Sequence, residues 1–163
     1  METSRRVPSE PSLTVWSWIF PVTYLLHIAE EYWVGGGYPA YILRLRGVHL
    51  SSTRFLLAQS IGFVLVVAGI LLARRFKFRN MMFVILGAIV VVNGLTHTLT
   101  SIRYWEYGPG LLTSLLVWLP LGIAALLRFK HHTTTRRYWV GVAIGVAVNV
   151  VVGVITMKGG RLD

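Results

Sequence analysis

The sequence predicts an all-α integral membrane bundle of about five transmembrane helices. Of its 163 residues, 55% are hydrophobic and only 13% are charged, and the mean hydropathy is +0.63. Soluble domains carry about 25% charged residues, so this chain has about half the charged residues that a water-facing surface usually contains. Its apolar residues fall into five segments, each close to the roughly 20 residues that a helix needs to cross a bilayer. The segments are residues 13–34, 55–73, 81–102, 111–127 and 138–157.

These segments are apolar on every face, which argues against a transmembrane β-barrel. Residues 62–72 and 140–148 do not alternate apolar with polar side chains as a barrel strand does. Polar tails are expected at residues 1–12 and 158–163, on either side of a single transmembrane domain of residues 13–157. The first tail has no short hydrophobic region with a cleavage site, so we expect the first segment to be an uncleaved anchor.

The basic residues lie between the apolar segments. Sixteen Lys and Arg against six Asp and Glu give a net charge of +10. Their position suits anionic headgroups, so we expect membrane lipid as a partner and no nucleic acid. Ten of them fall on the side of the N-terminus and six on the other side. The positive-inside rule then predicts an integral plasma-membrane protein with its N-terminus in the cytoplasm and its C-terminus outside.

Ionisable residues occur within the apolar segments, in the halves expected to face outward. The first segment contains His27, Glu30 and Glu31, and the third contains Asn93 and His97. An ionisable group at membrane depth costs about 2.5 to 3.5 kcal/mol on insertion scales, so two adjacent glutamates are expensive. Such a placement indicates a functional site.

Helical spacing predicts that these residues form two faces that meet. At 100° per residue the polar side chains of the first segment share one arc, and Asn93 and His97 share one face of the third. His27 and His97 are expected roughly 8 to 9 Å inside the outer boundary, since His27 lies six residues before Trp33 and His97 five residues before Ile102. Residues 107–110, Tyr-Gly-Pro-Gly, predict a tight turn on the same side, so that Tyr107 can overhang the site.

A longer connection joins the first two segments. It begins with Gly35 to Gly37 and continues with mixed apolar and basic residues from Tyr38 to Arg46. Residues 38–50 can form an interfacial helix that acts as a lid over the site. The favoured alternative is a connector bound at the headgroups, with its arginines extended toward the phosphates.

A family resemblance is visible at these residues. The run His27-Ile28-Ala29-Glu30-Glu31 resembles the signature of the HXXEE family of small integral membrane proteins. That family also carries an Asn-x-x-x-His element and a Tyr-x-Pro-Gly element, which residues 93–97 and 107–110 match in the same order. The resemblance covers most of the chain through the fourth segment, and it implies an enzymatic site without supplying a substrate.

His27, Glu31 and His97 form the best ligand set for a metal. A histidine and a carboxylate one helical turn apart, with a second histidine from a facing helix, supply three ligands and leave a fourth position open. The chain has no cysteine, so we expect a divalent metal on His and carboxylate ligands, zinc first and iron or manganese as alternatives. The candidate catalytic residues are Glu30 as general base or fourth ligand, Asn93 to orient substrate or a ligand, Glu31 and Tyr107.

Two alternatives use the same residues without a metal. In one, a glutamate activates water, the two glutamates share a proton, and His97 with Asn93 stabilises the developing oxyanion. In the other, which is purely structural, a glutamate pairs with Arg54 or Arg103 while the histidines bond to backbone or hydroxyl groups.

The leading functional prediction is a metal-dependent intramembrane hydrolase that acts on a lipid or a similarly apolar molecule from the outer leaflet. The runner-up is a carrier or channel for protons or metal ions, because buried His and Glu also mark ion pathways. The apolar residues below Asn93 favour a closed pocket over a conduit. A structural partner subunit is the third alternative.

Small residues recur every four positions in the fifth segment, at Gly141, Gly145, Asn149 and Gly153. This spacing is typical of packing stripes on membrane helices. We therefore expect a helix contact here, and the face of Gly141, Gly145 and Gly153 is also a candidate surface for a homo-oligomer.

Overall fold

The computed structural model describes residues 11–159, with side chains described for residues 16–156. This part of the chain consists of helices and turns and contains no strand, which confirms the predicted all-α class for the described residues. Most of the two predicted tails lies outside it. The helices are α1 (Pro11–Trp33), α2 (Tyr38–Arg46), α3 (Ser52–Arg75), α4 (Arg79–Tyr104), α5 (Leu111–Lys130) and α6 (Thr135–Gly159).

Four of these helices are long and apolar enough to cross a membrane, namely α3, α4, α5 and the Thr135–Thr156 part of α6. The chain is therefore a membrane protein by the character of its helices. α1 has 23 residues, which is long enough to span, but it is not among the four. Its polar side chains, His27, Glu30 and Glu31 above all, lower its hydropathy. Length and composition thus support four of the five predicted spans.

α4 lies at the centre of the bundle and packs against α3, α5 and α6. Glycines allow a close approach to α5. A Cβ atom on Gly87 would lie 3.1 Å from the carbonyl oxygen of Gly122, and one on Gly122 would lie 2.8 Å from that of Gly87. α1 packs against α3 and α5. An apolar cluster fills the interior, and its buried members include Phe20, Phe83, Val84, Trp118 and Phe129.

The small-residue face of α6 packs against α4 of the same chain. Cβ atoms on Gly141 and Gly145 would lie 3.0 and 2.6 Å from side-chain atoms of α4. Asn149 also faces α4, since its amide donates to the carbonyl oxygen of Ile89 at 3.1 Å. Gly153 has no such neighbour within 4 Å. Two of the three glycines of the candidate oligomer surface are therefore already used within the chain.

α5 contains a π-helical turn, Ser114–Trp118, shortly before Pro120. Proline has no N–H, so the regular hydrogen-bond pattern is interrupted near this position, and the N–H of Leu119 bonds instead to the carbonyl oxygen of Ser114. Ser114 and Trp118 are both buried. The turn thereby brings Trp118 beside the polar face of α1, where the candidate site lies.

Candidate metal centre

The polar faces of α1 and α4 meet near the C-terminal ends of these helices, at three residues that we call the ligand trio: His27, Glu31 and His97. Glu31 Oε1 lies 3.3 Å from His97 Nε2 and 3.7 Å from His27 Nε2. One ligand atom from each residue lies within 4.8 Å of the others. The exposed fractions are 2% for His27, 4% for Glu31 and 9% for His97. The structure therefore brings the three predicted ligands together in a buried cluster.

The donor set and the two separations that involve Glu31 fit a divalent metal, and all three ligand atoms lie within 4.8 Å of one another. Around a tetrahedral zinc with bonds of about 2.0 to 2.2 Å, neighbouring ligand atoms are roughly 3.3 Å apart. The Glu31–His97 pair has this separation, and the Glu31–His27 pair, at 3.7 Å, is slightly wider. Two imidazoles and one carboxylate match the ligand preferences of zinc and of non-haem iron.

A hydrogen-bond chain sets the tautomer of His27. Its Nδ1 lies 2.7 Å from the hydroxyl oxygen of Thr113, and that hydroxyl donates to Glu30 Oε2 at 2.5 Å. A carboxylate only accepts, so the single hydroxyl proton of Thr113 goes to Glu30, and the hydroxyl oxygen accepts from the Nδ1–H of His27. His27 Nε2 then carries the lone pair, and this atom is buried without a hydrogen-bond partner.

Glu30 is bound to the N-terminus of α5 rather than directed at the trio. Its Oε1 accepts from the hydroxyl of Tyr107 at 2.5 Å and from the N–H of Leu112 at 2.8 Å. Its Oε2 accepts from the N–H and the hydroxyl of Thr113 at 2.7 and 2.5 Å. A carboxylate at this place satisfies free N–H groups and the positive end of the helix dipole. Both carboxylate oxygens of Glu30 are therefore engaged by the turn and the first residues of α5, and its role as general base or fourth ligand stays a prediction.

Glu31 is held in position by α3. Its Oε2 accepts from the side-chain amide of Gln59 at 2.6 Å. The carbonyl oxygen of that amide accepts from the hydroxyl of Tyr24 at 2.8 Å, which fixes the NH2 group toward Glu31. Oε1 remains directed at the two histidines. The carboxylate is thus oriented by one partner while its second oxygen faces the trio.

Ring contacts fix the planes of the histidines. His27 stacks on Trp118 with ring centroids 3.7 Å apart and meets the ring of His97 edge-on at 5.0 Å. Asn93 lies one helical turn before His97 and is not a member of the trio, although its Oδ1 is buried without a hydrogen-bond partner. Its role in orienting substrate or a ligand stays a prediction.

The turn before α5 covers the trio. Gly110 has a φ of +90°, and a Cβ atom there would lie 2.8 Å from His27 Cε1, 2.9 Å from His97 Cε1 and 3.1 Å from Glu31 Cγ. Only glycine combines this backbone conformation with so close an approach. The backbone of the turn therefore closes one side of the site.

Tyr107 belongs to the same turn and joins it to α1. Its hydroxyl donates to Glu30, and its ring packs beside Gly35, where a Cβ atom would lie 3.5 Å from Cδ1. Burial and the Glu30 carboxylate raise the pKa of Tyr107, so the hydroxyl stays protonated and keeps donating. Tyr107 therefore contacts Glu30 and Gly35 beside the site, and its predicted catalytic role stays a prediction.

α2 packs over the same end of the bundle. The ring of Tyr38 stacks on Phe55 with centroids 5.8 Å apart and lies 6.3 Å from the ring of His97. Arg44 forms a salt bridge with Glu106 at 2.5 Å, which ties α2 to the turn after α4. α2 therefore contacts the site, as a lid would. It also carries basic residues, as a connector bound at the headgroups would. Whether it opens stays a prediction.

Sequence reasoning assigned no role to three residues that shape the site: Gln59, Thr113 and Trp118. Gln59 interrupts an apolar segment, and that interruption was an available signal. Thr113 occupies the first turn of α5, where side chains commonly bond to neighbouring groups. Trp118 gave no signal, because a tryptophan in an apolar helix is ordinary core.

The family comparison agrees with the motifs. A family model described as "Protein of unknown function with HXXEE motif" matches residues 18–125. This range contains the trio, the Asn93–His97 element and the turn at residues 107–110. No curated protein and no solved structure matches the chain.

Proposed function

Because the chain belongs to the family of proteins of unknown function with an HXXEE motif, whose description names no activity, we propose its function from the chemistry of the site. The protein is a membrane hydrolase in which His27, Glu31 and His97 hold one divalent metal, zinc in first place. The observation that carries this proposal is the buried, unpartnered Nε2 of His27 beside Glu31 Oε1. A buried polar atom without a partner is costly, and a metal ion would supply that partner.

The residues around the trio would prepare it for this role. Thr113 and Glu30 keep the proton of His27 on Nδ1, and Gln59 orients Glu31. Trp118 and the turn at Gly110 exclude water from two sides. A metal on three protein ligands supplies Lewis-acid activation of an ester or amide carbonyl through its open position. Hydrolysis is therefore the chemistry that this set of residues supports best.

The location of the trio supports an apolar substrate. It lies near the ends of α1 and α4, where helices of a bundle pass from the hydrocarbon region to the headgroups. The ester bonds of a glycerolipid lie at this depth. A lipid, or a similarly apolar molecule that enters from the outer leaflet, is the proposed substrate.

We place α1 across the membrane as the fifth span. It packs against α3 and α5, two of the candidate spans, and His27, Glu30 and Glu31 are buried in the bundle rather than exposed to lipid. Buried and bonded polar groups are tolerated at membrane depth. The turns at the opposite end are basic, so the positive-inside rule places that end and the N-terminus in the cytoplasm of a plasma-membrane protein, with the C-terminus outside.

The main alternative is a carrier or channel for protons or metal ions. Such a conduit needs polar groups along the whole bundle. On the inner side of the trio the interior instead contains Phe20, Phe83, Val84 and Phe129, each no more than 3% exposed. This apolar interior favours a closed site.

Metal content tests the proposal. The protein in lipid nanodiscs is incubated with zinc, desalted and measured by mass spectrometry of the metal. We expect about one zinc per chain in the wild type and none in Glu31→Gln or His97→Gln. Glu106→Gln is the matched control, because Glu106 lies at the same end but pairs with Arg44, and it should keep the zinc. A wild type that retains no more zinc than Glu31→Gln contradicts the proposal.

Hydrolysis is then measured with extracted membrane lipids as substrate and released fatty acid as product. Zinc-loaded wild type should release product, and removal of the metal by a chelator should stop it. Equal activity of the metal-free protein would favour the glutamate-activated alternative over the metal-dependent one.

A further inference from the structure

A second candidate site lies at the opposite end of the bundle from the ligand trio. A cavity of about 560 Å³ opens between the turn that joins α3 to α4 and the turn that joins α5 to α6. Cavities of this size accommodate small-molecule ligands and lipid headgroups. The two turns are joined by a hydrogen bond from the side-chain amide of Asn80 to the carbonyl oxygen of His132, 2.8 Å long. The cavity therefore lies between two connected elements.

The walls of the cavity combine cationic and apolar groups. Lys77 comes from the first turn and Arg137 from the beginning of α6, so the two cations belong to different elements. Phe76 and Met81 also line the cavity and supply apolar surface. The hydroxyl oxygen of Thr133, another lining residue, is buried and has no hydrogen-bond partner. Two cations and apolar surface match a phosphate that is attached to an acyl chain.

The positive charge at the cavity's end of the bundle also favours a phosphate as the ligand. Among the residues that the structure describes, the acids are Glu30, Glu31 and Glu106, and all of them lie at the end with the trio. The basic residues around the cavity's end of the bundle are Arg74, Arg75, Lys77, Arg79, Arg128, Lys130, Arg136 and Arg137. Neither Lys77 nor Arg137 forms an ion pair within the described chain. Their charges are available to an external anion.

The depth of the cavity identifies the source of that anion. Lys77 follows one candidate span, which ends at Arg75, and Arg137 lies at the start of another, Thr135–Thr156. Residues at the ends of spans lie at the level of the lipid headgroups. We propose that this cavity binds the phosphate of one anionic glycerophospholipid between Lys77 and Arg137, with the start of its acyl chain against Phe76 and Met81. The site is separate from the proposed metal centre and does not depend on it.

Native mass spectrometry of the full-length protein tests this site. The protein is titrated in detergent with phosphatidylglycerol, with phosphatidylcholine, and with inorganic phosphate at matched ionic strength. We expect one phosphatidylglycerol per chain to bind in clear preference to phosphatidylcholine, and inorganic phosphate not to displace it. Equal binding of the two lipids overturns the proposal. Displacement of phosphatidylglycerol by inorganic phosphate also overturns it, because the ligand would then be a free anion.

Charge-matched variants distinguish the cavity from general attraction to a basic surface. Each cation near an anionic headgroup strengthens lipid binding about fivefold. The double variant Lys77→Gln with Arg137→Gln should therefore weaken phosphatidylglycerol binding about thirtyfold. Arg74→Gln with Arg136→Gln removes the same charge from the same end outside this cavity, and should leave the affinity nearly unchanged. Lys77→Arg with Arg137→Lys keeps both charges and should bind, which excludes misfolding as the cause. Equal losses in the two Gln pairs would show diffuse attraction and overturn the proposal.

Discussion

The hydroxyl of Thr113 connects Glu30 to His27, at 2.5 Å from Glu30 Oε2 and 2.7 Å from His27 Nδ1. Two helices therefore position one ligand atom, His27 Nε2: α1 supplies both the imidazole and the carboxylate, and the first turn of α5 supplies the hydroxyl between them. Outer partners of this kind orient a ligating histidine and raise its basicity.

Thr113→Val removes the hydroxyl and keeps the shape of the side chain. The Nδ1–H of His27 then loses its acceptor, so zinc affinity should fall about 10- to 100-fold, as for other partners of metal-bound histidines. Competition with a chromophoric chelator measures the affinity. Thr113→Ser keeps the hydroxyl and should restore binding to near the wild-type value. An unchanged affinity in Thr113→Val would show that the tautomer of His27 is set by something else.

Glu30→Gln and Glu31→Gln should separate stability from metal binding. Glu30 accepts four hydrogen bonds at the start of α5, so its replacement should lower the free energy of unfolding by about 1 to 3 kcal/mol. Glu31→Gln removes a proposed ligand and should abolish zinc binding with a smaller effect on stability. Thermal unfolding and metal content, measured on both variants, check this. The reverse pattern would exchange the roles assigned to the two glutamates.

Gly110→Ala places a methyl group against both imidazoles. The Cβ atom would lie 2.8 and 2.9 Å from His27 and His97, and the φ of +90° is itself unfavourable by about 1 to 3 kcal/mol for a residue with a side chain. We expect loss of zinc binding together with lower stability. Gly36→Ala is the control, since Gly36 has a similar φ of +83° but no atom within 4 Å. It should lose stability alone, and an equal loss of zinc in both variants would argue against crowding at the trio.

Tyr38 provides a test that needs no metal. Burial and the nearby charge of Glu31 raise the pKa of Tyr38 to about 12. Because the folded value lies above the usual value of about 10, the stabilising effect of the protonated phenol is complete below about pH 10 and is lost as the pH rises toward 12. The metal-free wild type and the metal-free Tyr38→Phe variant are each titrated with base while their ultraviolet absorbance is followed. The difference between the two curves should show the ionisation of Tyr38 at this high pH. Glu31→Gln should move it to lower pH, and an ionisation near pH 10 in the wild type would contradict the position of Tyr38.

The sequence predicted the all-helical class and the sharing of one face by His27 and Glu31 because both follow from local periodicity. It could not predict the partners of Glu30, since they depend on where the first turn of α5 lies, some 80 residues further along the chain. The assignment of Glu30 as general base or fourth ligand was made without knowledge of these partners and stays a prediction. The same polar residues that mark the site also lower the hydropathy of α1, which is why composition alone identifies four spans.

Thr113, Gln59 and Trp118 show a second limit of sequence reasoning. Each acts through a contact between helices, with Thr113 and Trp118 reaching His27 and Gln59 reaching Glu31. The inward position of Trp118 also depends on the π-helical turn before Pro120, and a regular helix drawn from the sequence would direct the side chain differently. The polarity of Gln59 and Thr113 is visible in the sequence, but the residue that each of them contacts on another helix is not.

X-ray absorption at the zinc edge tests the central claim most directly, because it reports the atoms bound to the metal. For the zinc-loaded wild type we expect two imidazoles and one carboxylate oxygen at about 2.0 to 2.2 Å, and no such zinc signal from His97→Gln after the same loading and desalting. A wild-type spectrum without imidazole scattering, or one that His97→Gln leaves unchanged, would show that the metal is not held by His27, Glu31 and His97.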